Sequence, residues 1–214
     1  MAFVLANAAI LGITVAFAIP LLDVARLDPV QIAALTFSQD ATLAVVLVGL
    51  LRVWPKIGPA ALGLVAPVAV RVGVLAGVGL WALSVAVADG QAALVGLHPQ
   101  SLVLAAAAHR SPEALALDLA VGAGFVAVVE ELVFRAVLFT LLRQRMRFAY
   151  AAIISSAIFA AVHEVQAMLP VFALGLGLAL LYERRHSLWT NAFAHGTVNA
   201  VSFLLLFFLP DLGG

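Results

Sequence analysis

The sequence has no cysteine, little charge and no basic run, and each absence narrows the reading. Without cysteine there is no disulfide framework and no thiolate metal site, so any metal would rest on His, Asp or Glu. Lys and Arg number 11 against 11 Asp and Glu, a formal net charge of zero, and the chain offers no electrostatic footprint for nucleic acid. Charged residues make up only 10% of the chain and hydrophobic ones 65%, with a mean hydropathy of +1.17, outside the range of a soluble domain. The composition is that of a multi-pass integral membrane protein, in the plasma or inner membrane if the cell is prokaryotic. No polar linker separates folded units, so residues 1–214 read as one transmembrane domain.

What is present in abundance is long apolar runs. A spanning helix needs about 20 mostly apolar residues, and the expected fold is all-α, a polytopic bundle of about seven spans at 3–22, 31–51, 70–88, 119–142, 149–168, 169–183 and 188–209. The first run is followed by Ala16 and Ala18, which imitate a signal-peptide cleavage site; no Lys or Arg precedes it, and Pro20 would hinder cleavage, so it is read as a span. The stretch 91–118, with His98, Pro99, His109, Arg110, Pro112 and Glu113, is too polar for a span and is expected to hold a short interfacial helix. Residues 56–69, with Pro59 and Pro67, read as an interfacial or re-entrant approach to the third span.

With the N-terminus in and the C-terminus out, Arg52, Lys56, Arg71, Arg143, Arg145, Arg147, Arg184 and Arg185 fall inside, while Arg26 and Arg110 fall outside. That distribution follows the positive-inside rule and favours an odd number of crossings. Small residues, as in Gly73-x-x-x-Gly77 and the run Ala173, Gly175 and Gly177, are expected at helix contacts.

Against this background Glu130, Glu131 and Arg135 stand out, because ionisable side chains inside a membrane segment are costly and default to a functional hypothesis. Glu131 and Arg135 are spaced i, i+4 and can pair internally, which lowers the cost of burying both. Glu130 is turned about 100° away, leaving one carboxylate tied down and its neighbour free to face an interior cavity. Two later spans add Phe159-x-x-x-His163 and His195-x-x-x-Asn199, each pair on one helix face, with Gly196 allowing close approach. Singly, each has an ordinary explanation: a structural ion pair, or an interhelical hydrogen bond from His or Asn. Their conjunction in three otherwise apolar spans is what points to chemistry. Gln39 and Asp40, in the second span, read as a polar helix contact or an extension of the site; His98, His109 and His186 read as solvated loop residues, and Glu164 as interfacial.

In this order the strings Glu-Glu-x-x-x-Arg at 130–135, Phe-x-x-x-His at 159–163 and His-x-x-x-Asn at 195–199 closely resemble the three motifs of the CPBP intramembrane proteases. That group contains the type II CAAX prenyl endopeptidases (Ras-converting enzyme type) and bacteriocin-processing or self-immunity proteins. The resemblance covers a motif-bearing core at about 119–205 and implies hydrolysis of a peptide bond in a membrane-bound or lipidated substrate, within the lipid bilayer. Carried over by position, Glu130 and His163 activate the attacking water, His195 and Asn199 stabilise the oxyanion, Glu131 and Arg135 hold the site together, and Phe159 walls it. A hydrolase without a serine or cysteine nucleophile needs such a base and such donors.

Two readings of metal use stay open: zinc held by Glu130, His163 and His195 with a position left for water, or a metal-free glutamate mechanism. The His-Glu-x-x-His pattern of zincins is absent, since position 167 is Ala. Two alternatives to a protease are a catalytically inactive family member serving as membrane scaffold or immunity protein, and a proton-coupled transporter, which would be expected to show two repeated halves. One check is discordant: at about 1.5 Å per residue from the inferred cytoplasmic ends, Glu130 lies roughly 18 Å deep, His195 roughly 12 Å and His163 roughly 22 Å. A tilt of about 20° is one means of bringing these depths together.

Overall fold

The computed structural model describes residues 27–53, 58–96 and 110–209, and every regular element among them is helical. The expected first span at 3–22, together with Arg26, Lys56, His98, Pro99, His109, Pro210 and Asp211, lies outside the described residues.

The helices start and stop where side chains satisfy the free backbone groups of a helix end. Helix α1, Pro29–Val53, opens on a reciprocal cap: Gln31 N–H donates to Asp28 Oδ1 at 2.8 Å and Asp28 N–H donates to Gln31 Oε1 at 3.1 Å, with Pro29 at the first helical position. Helix α2, Val70–Val95, ends on Gly96 in the left-handed region at φ 67°. The next helix, α3, runs over residues 112–143 and begins with Ser111 accepting from Ala114 N–H at 3.1 Å and Pro112 in its first turn. Helix α4 is Phe148–Ala161, α5 is Met168–Arg185 and α6 is Leu188–Phe208, the last capped by Ser187.

Three of these sequence boundaries need correction. The bounds of the polar stretch 91–118 shift: its first residues complete α2 and its last ones begin α3 at Pro112, while residues 97–109, where the short interfacial helix is expected, lie outside the described residues. Within α3, two wide-turned π-helical stretches, Asp118–Val126 and Glu131–Phe139, interrupt the α-helical geometry assumed for the motif. The third correction matters most for the site. The expected span 149–168 is broken, because α4 stops at Ala161 after 14 residues and a turn leads through a 3₁₀ segment, Val165–Ala167, into α5.

Local hydrogen bonds explain that break. In a continuing helix the Phe159 carbonyl would accept from the His163 backbone N–H; instead that N–H donates to Ala160 O at 3.0 Å and the His163 ring takes the Phe159 carbonyl at 2.8 Å. Gln91, buried on α2, donates from Nε2 to the Gln166 carbonyl at 2.7 Å and pins the turn from the other side.

Three described helical segments, Val70–Val95, Val165–Arg185 and Leu188–Phe208, are long and apolar enough to cross a membrane, and α4 is a shorter apolar helix. Helix α2 packs along α6 through the expected glycines. A Cβ at Gly73 would lie 2.7 Å from Thr190 O, and one at Gly77 2.5 Å from Ala194 O, so only glycine permits this backbone approach. Helix α6 also packs on α3, and α4 packs on α5.

Candidate active site

Three helices and one turn carry the seven motif residues, and six of them, all but Asn199, meet in one cluster. Glu130 and Glu131 lie at the junction of the α-helical turn Ala127–Glu130 with the second π-helical stretch, and both are buried. The neighbouring carboxylates divide as the helical offset predicts. Glu130 faces His163, with Oε1 3.9 Å from its Nε2, and also faces His195, with Oε2 3.6 Å from its Nε2. Glu131, fully buried, turns its Oε1 to His195 Nδ1 at 3.0 Å and its Oε2 to the Arg135 Nε at 3.5 Å.

The two histidines present the same edge to Glu130. His163 Nδ1 lies 2.8 Å from the Phe159 carbonyl, an acceptor, so Nδ1 carries the proton and Nε2 faces the site. His195 Nδ1 lies against the Glu131 carboxylate, likewise an acceptor, which puts a proton on Nδ1 and aims Nε2 at Glu130. Both distances to Glu130 exceed a direct hydrogen bond. A water placed off the line between the partners could reach all three groups, the arrangement to consider when polar groups face each other at such a gap.

Phe159 is fully buried and packs against both imidazoles. Its ring centroid is 4.8 Å from that of His163, 5.9 Å from His195 and 5.0 Å from Phe134. The Arg135 guanidinium lies 4.4 Å above the same ring. Arg135 is fully buried with no hydrogen bond from Nε, Nη1 or Nη2, so its charge is compensated by the Glu131 ion pair and the aromatic face.

Asn199 lies one turn beyond His195 and donates from Nδ2 to the Gly122 carbonyl at 2.9 Å, leaving its second amide hydrogen uncommitted by that bond. Gly196 makes this contact feasible: a Cβ there would lie 2.5 Å from the Ala123 carbonyl. Of the two polar residues in α1, Gln39 is exposed and Asp40 is 4% exposed. The stack of Phe37 on Phe125, with centroids 4.6 Å apart, sets α1 against the stretch of α3 that leads to Glu130. His186 is exposed at the end of α5, as expected of a solvated residue, and Glu164 is partly buried in the turn after His163.

The motif reading did not include Asn191. This fully buried residue donates from Nδ2 to Glu131 Oε2 at 2.9 Å and to the Leu178 carbonyl at 2.9 Å. Its signal was in the spacing, since Asn191, His195 and Asn199 recur every four residues along one face of an apolar helix.

The donor chemistry of Glu130, His163 and His195 suits zinc, with each Nδ1 anchored by an acceptor and each Nε2 facing a carboxylate. Among the described residues no group of three His, Cys, Asp or Glu side chains is gathered in the arrangement of a metal site.

Comparison with known proteins bears on the same segment. A family model described as "Type II CAAX prenyl endopeptidase Rce1-like" matches residues 112–201, which contain every motif position. Over 73 residues the chain is 37% identical to "Putative membrane peptidase YdiL" of Bacillus subtilis (strain 168), a match covering 34% of this chain and 30% of that protein, so the chain spans under a third of its curated relative in the match. No solved structure matches. The comparison thus falls on the same three motifs: in this multi-pass integral membrane protein, residues 112–201 are similar to the type II CAAX prenyl endopeptidase Rce1-like family.

Proposed function

We propose that the chain is an intramembrane endopeptidase that hydrolyses a peptide bond of a membrane-associated substrate, including a prenylated, CAAX-type one. The observation that carries this reading is the convergence of His163 Nε2 and His195 Nε2 on opposite oxygens of the buried Glu130 carboxylate. A water held by Glu130 and His163 gives its proton to Glu130 as its oxygen attacks the substrate carbonyl carbon. The carbonyl oxygen becomes the oxyanion of a tetrahedral intermediate. It receives hydrogen bonds from the second amide hydrogen of Asn199 and from Nε2–H of His195 in its charged form, in which both ring nitrogens are donors. The intermediate collapses as the C–N bond breaks, and Glu130 passes its proton to the leaving amine.

Glu131 serves that cycle from behind. Its carboxylate holds Nδ1–H of His195 and balances the charge that His195 carries while donating from Nε2. Arg135 and Phe159 keep this carboxylate and the imidazoles in place. Every step runs through Glu130, the two histidines and Asn199.

Seven crossings with the N-terminus in and the C-terminus out remain the proposed topology. Its support is the gathering of arginines at one end of the bundle. The Arg143 guanidinium meets Glu183 at 2.8 Å, joining the end of α3 to that of α5, and Thr190 Oγ1 accepts from Ala69 N–H at 3.0 Å, joining the start of α6 to that of α2. These contacts bring Arg71, Arg143, Arg184 and Arg185 to the same end as the connection containing Arg145 and Arg147. At 1.5 Å per residue α4 covers roughly 21 Å, against about 30 Å of hydrocarbon. The turn bearing His163 is then placed at membrane depth, where irregular backbone is tolerated only when protein groups satisfy it.

The test offers the purified chain in bilayers matched peptides with a membrane anchor, prenylated and unprenylated. Cleavage of either supports the peptidase reading and their ratio defines the substrate class. Absence of cleavage in both, with the chain folded, favours the non-catalytic scaffold or immunity reading.

A further inference from the structure

Glu131 is the acceptor for His195 Nδ1, but a carboxylate on a glutamate side chain does so only while its own torsions are held. Oε1 meets His195 at 3.0 Å, so the orientation of the group depends on what grips Oε2. Arg135 contributes charge there at 3.5 Å without a hydrogen bond. The directional partner is Asn191, whose Nδ2 is 2.9 Å from Oε2.

The chemistry of the pocket also fixes which way the Asn191 amide points. Both groups within reach, Glu131 Oε2 and the Leu178 carbonyl, are acceptors, so the NH₂ edge must face them and supplies its two hydrogens, one to each. Asn191 Oδ1 has no hydrogen-bond partner, an expected cost of turning the donor edge inward at a fully buried position. The Leu178 bond ties the amide to the backbone of α5, and Asn191 and His195 lie one turn apart on α6. The carboxylate is therefore held between two points of one rigid helix, with α5 fixing the first of them.

We propose that Asn191 is a positioning residue that clamps Glu131 in the orientation that accepts Nδ1–H of His195, and so dictates that Nε2 is the nitrogen His195 turns toward the reaction centre. The proposal rests on the peptidase reading for its effect on turnover but not for its effect on the imidazole. With the clamp released, Glu131 Oε1 leaves Nδ1 for part of the time, the resting proton is no longer confined to Nδ1, and the charged form that donates from Nε2 during the reaction loses the carboxylate that balances and aims it. Loss of the partner that orients a metal-bound histidine costs roughly 10–100-fold in affinity or activity, and the same scale is expected for His195.

The experiment compares the full-length chain with Asn191→Leu, of similar volume but without donors, in detergent micelles. Selective ¹⁵N-histidine labelling reads the protonation of each ring nitrogen, and His195→Gln identifies the signal. In the wild type the His195 Nδ1 signal is that of a protonated nitrogen. In Asn191→Leu that state gives way to a mixture of tautomers, and kcat falls about 10–100-fold with KM changed less than about twofold. A wild-type His195 protonated on Nε2 alone overturns the proposal before any variant is made. A folded Asn191→Leu chain with the wild-type ¹⁵N spectrum overturns it too, because a packing role would lower stability without moving the tautomer. If Asn191→Leu fails to fold, Asn191→Asp, of the same shape but with an acceptor edge, is read in its place with the same expectations. The spectrum needs no substrate, so a wild-type chain that cuts no peptide counts against the peptidase reading while the tautomer still decides the role of Asn191.

Discussion

Glu131 and Arg135 form a fully buried ion pair whose two members are supported very differently, and a double-mutant cycle should expose the asymmetry. Glu131 has three polar partners: His195 at 3.0 Å, Asn191 at 2.9 Å and Arg135 at 3.5 Å. Arg135 has the ion pair and the Phe159 ring, and no hydrogen bond at any guanidinium nitrogen. Removing one member of a buried pair costs about 3–5 kcal/mol because it strands the other charge. Glu131→Gln strands a guanidinium that has nothing else to lean on, and it also sets an amide NH₂ against the donors of Asn191 and His195. It should fall at the upper end of that range. Arg135→Met leaves a carboxylate still held by two hydrogen bonds and should fall at the lower end. For a chain of this size about 2–4 °C of melting temperature corresponds to 1 kcal/mol, so the single variants should melt roughly 6–20 °C below wild type. The double variant has no stranded charge and should be more stable than Glu131→Gln alone, with a coupling of up to about 3 kcal/mol. The assay is reversible unfolding in detergent followed by tryptophan fluorescence. Single variants within about 1 kcal/mol of wild type, or a double variant at the sum of the singles, would refute the reasoning.

Two further outcomes follow from the same geometry. Gly77→Leu drives a side chain into the Ala194 backbone, 2.5 Å from its first carbon, and should cost about 1–3 kcal/mol, read as a lowered melting temperature; an unchanged one would mean that α2 and α6 do not pack through this glycine. Exhaustive treatment with a zinc chelator should leave peptide turnover intact, since the mechanism proposed runs through Glu130 and water; loss of turnover restored by added zinc would contradict it.

The sequence made the helical class, the three motifs and the different facing of the Glu130 and Glu131 carboxylates legible, because each depends on local spacing within an apolar background. The i, i+4 pairing of Glu131 with Arg135 is present, and the close approach at Gly196 is used. What could not be read depends on contacts between segments. Phe159 and His163 meet as the spacing suggests, yet His163 has left the helix, and its ring rather than its backbone caps the Phe159 carbonyl. Depth counting placed His163, Glu130 and His195 at different levels because it assumed straight, untilted α-helices. The structure nevertheless brings His163 to 3.9 Å and His195 to 3.6 Å from the Glu130 carboxylate, using a 14-residue α4 and a helix α3 with π-helical stretches. Asn191 was missed for a different reason. Its four-residue spacing was visible, but only the partner helices reveal that Glu131 needs a second directional hold.

The central claim is that Glu130 is the base for peptide hydrolysis, and Glu130→Gln tests it most directly, since it keeps the shape of the side chain while removing its capacity to take a proton. Single-turnover cleavage of a membrane-anchored peptide by the purified chain in bilayers should fall by about 10²–10⁴-fold, the range for losing a general base, while melting temperature stays near wild type. Turnover that survives in Glu130→Gln at the wild-type rate would contradict the account.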